Sequence, residues 1–255
     1  MAAPPALPWR VVWITGASTG IGAEIARQLA ARGITVAVSA RSADKLSALA
    51  QANPRLKPYP LDVTDAEAVI ATFAAIERDC GVVDLVLAAA GTYAPVQLDA
   101  LSPAPFRSMY ETNYLGVVNV LSAVLPAFRA RRSGHLAWIA SVAGYRGLPK
   151  AAAYGPTKAA LINLAESLKP ELEADGVRVS VINPSFVRTP LTAQNDFPMP
   201  FLMDADEAAR RSIAGLAAGR FEVAYPIRFV ALLKFARLLP YRLYFALIRR
   251  NVLRR

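Results

Sequence analysis

The chain contains a single cysteine, Cys80, and a single histidine, His135, in 255 residues. One thiol cannot close an internal disulfide, and with no second soft donor it offers no thiolate metal site, so a reducing cytoplasmic compartment and no metal fit the composition. His135 opens an apolar run with no visible polar partner and is read as structural. The first residues lack a basic segment followed by an apolar one, so residues 1–9 read as a short disordered lead rather than a secretory signal. Acidic charge is missing from the other end. Residues 226–255 hold eight Lys or Arg and no Asp or Glu, whereas residues 1–225 hold 21 basic against 19 acidic, so the net charge of +10 is concentrated in the tail. Those cations interrupt Leu, Phe and Tyr rather than polar and glycine residues, which argues against nucleic acid as the partner. They also break every apolar run in the tail well short of the ~20 residues that would span a bilayer.

What remains is 55% hydrophobic, enough to bury one large core in a single α/β domain. Arg10-Val-Val-Trp-Ile-Thr15 is rich in β-branched residues and predicts a parallel strand buried on both faces. Gly16-Ala-Ser-Thr-Gly20-Ile-Gly22 follows at once and leads into a helical pattern over Ala23 to Arg32. Strand, glycine turn and helix make a nucleotide-binding unit: glycines let the backbone approach a pyrophosphate, and the helix N-terminus meets its charge. Further along, Tyr154 and Lys158 stand four apart in a helical pattern, hence on one face. A cation held beside a phenol favours the phenolate, so Lys158 is expected to lower the pKa of Tyr154 into the range of an acid–base catalyst.

The G-x-x-x-G-x-G turn preceded by Thr15, taken with Ser141, Tyr154 and Lys158 in that order, resembles the short-chain dehydrogenase/reductase family in its classical branch. The resemblance runs from about Arg10 to Thr189. It implies a Rossmann-type, doubly wound, seven-stranded parallel sheet that holds a nicotinamide cofactor and substrate at the carboxyl ends of its strands. It further implies a catalytic set of Asn113, Ser141, Tyr154 and Lys158, in which Asn113 holds a helix distortion and a water that links the lysine to solvent. The cofactor-binding positions implied are Gly16, Ser18, Thr19, Gly20, Ile21, Gly22, Arg41, Asp62, Val63, Ala90, Gly91, Pro184, Val187 and Thr189, together with Tyr154 and Lys158. Dimers or tetramers are usual in the family.

At the end of the second strand, over Ile34 to Ala40, an acidic residue would bind the adenosine ribose and repel a 2′-phosphate. The chain has Ser39-Ala40-Arg41 instead, which favours NADP(H) over NAD(H). Two departures from the family pattern stand out. Ala88-Ala89-Ala90-Gly91 replaces Asn-Asn-Ala-Gly, removing an asparagine that ties neighbouring strands, and Ser185 replaces a glycine after Pro184. Further strands are expected over Leu56 to Leu61, Val82 to Ala90, Leu136 to Ala140, Val177 to Ile182 and Arg220 to Tyr225. One long helix is expected from Pro105 to Arg131, with another over 150–174 that Pro170 would kink or end early.

Residues 10–225 thus read as the catalytic domain, with an apolar substrate lid within about 190–218 around Phe197 to Met203. The tail, 226–255, breaks at Pro240 into two segments of helix formers laced with arginine. It reads as a pair of helices lying on an anionic membrane surface, peripheral at its inner face; an oligomer contact or a cover for the domain's own core is the alternative. The function expected is NADPH-dependent interconversion of a hydrophobic, lipid-like ketone or aldehyde and its alcohol. The rival from another class is a nucleotide-binding scaffold or redox sensor acting through the tail.

Overall fold

The computed structural model describes residues 7–251. Seven strands run parallel in one sheet, β1 (Val11–Thr15), β2 (Thr35–Ser39), β3 (Leu56–Pro58), β4 (Leu85–Ala88), β5 (Gly134–Ile139), β6 (Val177–Pro184) and β7 (Glu222–Tyr225), in the order 3-2-1-4-5-6-7. Every residue of β1 is buried, as a strand covered on both faces requires, and the indole N–H of Trp13 donates to Ser39 Oγ at 3.0 Å inside the sheet. Helices α1 (Gly20–Ala31), α2 (Ala43–Gln51) and α7 (Ala205–Ala217) cover one face through Ile25, Leu29, Leu46 and Ile213. Helices α3 (Ala66–Cys80), α5 (Gly116–Ala130) and α6 (Tyr154–Ala174) cover the other through Phe73, Ile76, Val124, Phe128 and Leu161. Chain direction across the sheet reverses between β1 and β4, and the carboxyl ends of the strands open there into a cleft, the usual ligand position of such sheets.

Several elements differ from the sequence expectation. The third strand ends at Pro58, since Pro58 and Pro60 interrupt the ladder, and the chain reaches Leu61 as coil bonded to Ala40 O. The helix expected from Pro105 to Arg131 is present as one continuous run, α4 (Pro103–Tyr110), a π-turn over Glu111–Leu115 that carries Asn113, and then α5, so the distortion lies where the resemblance implied it. Pro170 neither ends nor shortens α6, which runs four residues past it to Ala174. Trp9, placed in the lead by sequence, is 2% exposed and packs beside His135 at 6.0 Å between ring centroids; the first six residues of that lead lie outside the described residues. Ser185 is outside the left-handed region, and its N–H bonds Tyr225 O at 2.9 Å, so the missing glycine is tolerated.

His135 does have a partner. Its Nε2 lies 2.8 Å from Ser180 Oγ, whose proton is committed to Arg220 O at 2.7 Å, so Nε2 carries the hydrogen and Nδ1 is buried without a partner. Burial, with Arg178 nearby, pushes the imidazole pKa down to about 3. A histidine depressed in the folded state takes up protons only on unfolding below its ordinary pKa of about 6.5, so stability falls as pH drops from there toward 3. Carboxylates titrate lower, so unfolding free energy is expected to fall by about 2 kcal/mol between pH 6.5 and 5. Unfolding free energy read by urea titration at each pH should be nearly flat over that window for His135→Asn; parallel curves for the two proteins would rule out His135 as the source.

The tail forms α8 (Ile227–Leu238) and α9 (Tyr241–Asn251), with residues 252–255 outside the described ones. Its inward face covers the domain's own core through Val230, Ala236 and Tyr244. Arg146 holds it there, donating to the carbonyls of Ala236 at 2.5 Å, Leu239 at 2.9 Å and Arg237 at 3.2 Å at the end of α8. The Tyr244 ring lies over the same guanidinium at 3.8 Å, and its hydroxyl donates to Gly147 O at 2.6 Å.

Candidate active site

The glycine turn is built for close backbone approach. Gly16 has φ +66°, and a Cβ on it would meet Ala90 N at 2.5 Å; one on Gly22 would meet Gly16 O at 2.7 Å. Only glycine lets the turn pass this near the end of β4. The hydroxyl of Thr19, N-cap of α1, makes no capping bond, and no acidic residue lies in the first turn, so the first N–H groups of the helix face the cleft with their positive dipole end. Where Ala88-Ala89 lacks the family's asparagine, the buried Thr15 hydroxyl accepts from Ala90 N at 3.4 Å and ties β4 to β1.

All of the expected cofactor positions line this one cleft: Gly16, Ser18 to Gly22, Arg41, Asp62, Val63, Ala90, Gly91, Tyr154, Lys158, Pro184, Val187 and Thr189. The uncapped helix end and the glycine cradle suit a pyrophosphate, so the residues present fit a dinucleotide. Arg41 stands on the rim after β2. The Asp62 carboxyl is held below its usual range, chiefly by the Thr64 N–H at 3.0 Å, against the opposing effect of burial and with help from the Thr64 hydroxyl and Arg41. Thr189 is braced by Thr192, whose hydroxyl donates to Val187 O at 2.6 Å.

Ser141 follows β5, accepting from Ala143 N–H at 3.1 Å and donating to Pro184 O at 3.3 Å. Tyr154 begins α6, half buried, with the edge of Tyr93 against its ring at 5.2 Å. Lys158, one turn on, is buried, donates to Ile139 O at 2.8 Å, and lies 5.5 Å from the centre of the Tyr154 ring. The pairing is as spaced, but its effect differs from the expectation. Burial pushes the phenol of Tyr154 up to about 12, with the Ser141 hydroxyl pulling it partly back, and burial alone pushes Lys158 down to about 7. Here desolvation outweighs attraction, because the ammonium sits over the ring and bonds a carbonyl rather than the phenol oxygen.

Asn113 does not line the cleft. Fully buried in the π-turn, it accepts from Thr92 N–H at 2.7 Å and donates to Thr92 O at 2.9 Å and Thr157 Oγ1 at 3.2 Å, pinning the segment after β4 against α6. Thr157, which also donates to Tyr154 O at 2.8 Å, was not singled out in the sequence, nor was Tyr93. A further cluster also escaped it. Tyr145 and Asn183 donate to Glu222 Oε1 at 2.5 and 2.8 Å, and Lys234 of α8 pairs with the same carboxylate. Burial would raise that carboxyl, but the bonds from Lys234, Tyr145 and Asn183 hold it below its usual range. The cluster joins the loop that follows Ser141 to β6, β7 and the tail, and no local motif announces it because its members are spread over 90 positions.

Comparison with known proteins agrees with this geometry. The family described as short chain dehydrogenase matches residues 10–198. An uncharacterized oxidoreductase of Myxococcus xanthus is 39% identical over 248 residues, covering 96% of this chain and 98% of the relative. Among solved structures, a short-chain dehydrogenase from Streptomyces avermitilis superposes with a TM-score of 0.82 at 26% identity, over 94% of this chain and 97% of that one. An alcohol dehydrogenase from Thermococcus sibiricus complexed with 5-hydroxy-NADP gives 0.76 at 31% identity, over 84% and 95%. A glycine cradle at the switch point of a 3-2-1-4-5-6-7 sheet, with serine, tyrosine and lysine at its mouth, places the chain in the short-chain dehydrogenase family, an NAD(P)-dependent oxidoreductase.

Proposed function

We propose that the protein is an NADPH-dependent carbonyl reductase acting on hydrophobic ketones or aldehydes. The observation that carries this reading is the convergence of Ser141, Tyr154 and Lys158 on one wall of the cleft whose floor is the glycine turn. A nicotinamide held there supplies the hydride that turns carbonyl into alcohol. Ser141 Oγ gives up its long bond to Pro184 O and donates to the substrate oxygen instead, while Tyr154 Oη transfers its proton to that oxygen. With a pKa of about 12 the phenol is protonated at neutral pH, which suits a general acid. Lys158, near pKa 7, is poised to return the proton, and it lines the cleft where it can bond ribose hydroxyls. Asn113 holds the Gly91–Tyr93 segment that faces the tyrosine. The apolar substrate is supported by the lid, where Phe186 packs on Phe197 at 6.0 Å and Phe201 on Phe229 at 5.7 Å.

Oxidation of NADPH in the presence of short polar and long-chain ketones tests the reading. Turnover should rise with chain length; no ketone-dependent oxidation across the panel would refute it. For the cofactor, Arg41→Ala is expected to weaken NADPH binding by about 10- to 100-fold, the worth of a charge-assisted bond to phosphate, with NADH unchanged within about twofold. Equal losses for both nucleotides, measured by fluorescence titration, would show that Arg41 does not select.

A further inference from the structure

Helix α8 is apolar on two faces. Val230 and Ala236 are buried against the domain, yet Ile227, Leu232, Phe235 and Leu238 are exposed, Phe235 at 63% and Leu238 at 81%. A helix that merely covers a core turns polar residues outward. On α9 the rings of Tyr241 and Phe245 stack at 5.9 Å and are likewise exposed, beside exposed Arg242, Arg249 and Arg250. No described helix is long and apolar enough to cross a membrane.

We propose that the outward faces of α8 and α9 dock the enzyme on an anionic lipid surface. Charge decides the occupant. The tail has eight cations and no acid, so a second copy meeting it patch to patch would set guanidinium against guanidinium. Acyl chains accept Leu232, Phe235 and Leu238, while the phosphates around them accept Arg237 beside them and Arg242, Arg249 and Arg250 of α9, the arrangement of helices lying in an interface. The patch adjoins the lid. Phe229, one turn before Leu232 and Leu233, touches Phe201 at 5.7 Å and Phe186 at 6.3 Å, and Phe201 is itself exposed. A docked enzyme therefore presents its substrate entrance to the lipid, so an apolar carbonyl compound enters without crossing water. That last step rests on the reductase reading; docking does not.

The full-length chain should co-sediment with phosphatidylcholine vesicles containing phosphatidylglycerol, fail to do so with phosphatidylcholine alone, and be released by high salt. Each arginine near such a surface is worth about fivefold in partitioning, so Arg242→Gln/Arg249→Gln/Arg250→Gln should weaken binding roughly 100-fold. Leu232→Ser/Phe235→Ser should weaken it at least about tenfold through lost apolar burial. All five side chains are exposed, so the fold and reduction of a short soluble ketone should stay unchanged. Full-length protein that stays in solution over anionic vesicles at low salt overturns the proposal. Binding that is indifferent to both sets of substitutions does so too, as does a doubled mass in solution abolished by Leu232→Ser/Phe235→Ser without any vesicle binding. Vesicle binding without turnover on any ketone would leave docking standing and refute the reductase reading instead.

Discussion

Replacing Tyr154 by phenylalanine is expected to lower kcat by roughly a thousandfold while leaving the nucleotide Kd within about twofold. The ring is retained, and with it the edge contact of Tyr93 and the packing at the start of α6, so the cleft keeps its shape. Only the hydroxyl is lost, and with a pKa of about 12 it is the acidic group of the site that is still protonated at neutral pH. Lys158 cannot replace it, because its Nζ is turned to Ile139 O and lies over the Tyr154 ring, 5.5 Å from its centre. Ser141 cannot either, since a hydroxyl with an ordinary aliphatic pKa donates a hydrogen bond but not the proton itself. Single-turnover and steady-state rates measured with one soluble ketone check the point: a variant within tenfold of the parent in kcat would remove Tyr154 from the proton transfer.

Much of this site is legible in the chain because its parts are local. The glycine turn, Arg41 after β2, Ser141 after β5, and Tyr154 with Lys158 on one turn each occupy a short window whose geometry follows from strand, turn and helix alone. Three things are not legible for the same reason reversed. The Glu222 cluster joins Tyr145, Asn183 and Lys234 from four separate elements, and the partner of His135 lies 45 positions away on β6. The direction of the Tyr154 shift depends on how much water the folded cleft excludes, which helical spacing does not encode. The long helix over Pro105 to Arg131, with its distortion at Asn113, is legible, but the groups that hold the π-turn are not, because Thr92 and Thr157 reach Asn113 from other elements.

The tail shows how one segment can satisfy two surfaces. Its apolar content is high, but the residues do not fall on a single stripe. Phe229, Val230, Leu233 and Ala236 follow the core-facing period, whereas Ile227, Ala231, Phe235 and Leu238 follow the same period turned to the opposite side. Arg146 fixes which side is which by binding the last carbonyls of α8, and Lys234 adds a second tie through Glu222. Because Arg146 lies five residues after Ser141, and Tyr145 beside it reaches Glu222, the tail and the serine loop are held as one body.

Asn113→Ala is expected to destabilise the protein by about 3 kcal/mol and to lower kcat as well, the larger stability effect of the substitutions considered. The amide serves three partners at once. Its removal strands the N–H and carbonyl of Thr92 and leaves Thr157 Oγ1 without its donor, each such loss costing about 1 to 3 kcal/mol in a site closed to water. Alanine also removes the reason for the π-turn, so Glu111–Leu115 can relax toward ordinary α-helix and carry Tyr114 and Leu115 with it. Gly91 to Tyr93 would then be tied less firmly to α6, and Tyr93 would no longer hold its edge against the Tyr154 ring. Asn113→Asp shows which half of the amide matters. A carboxylate still accepts from Thr92 N–H but cannot donate to Thr92 O or to Thr157, so it should recover little of the stability and add the penalty of a buried charge. Urea unfolding at neutral pH, with m-values compared to confirm that the denatured state is unchanged, reads the first effect, and kcat at saturating nucleotide reads the second. A loss below about 1 kcal/mol in Asn113→Ala would mean that water replaces the amide, and that the π-turn is held by the backbone of α4 and α5 rather than by this side chain.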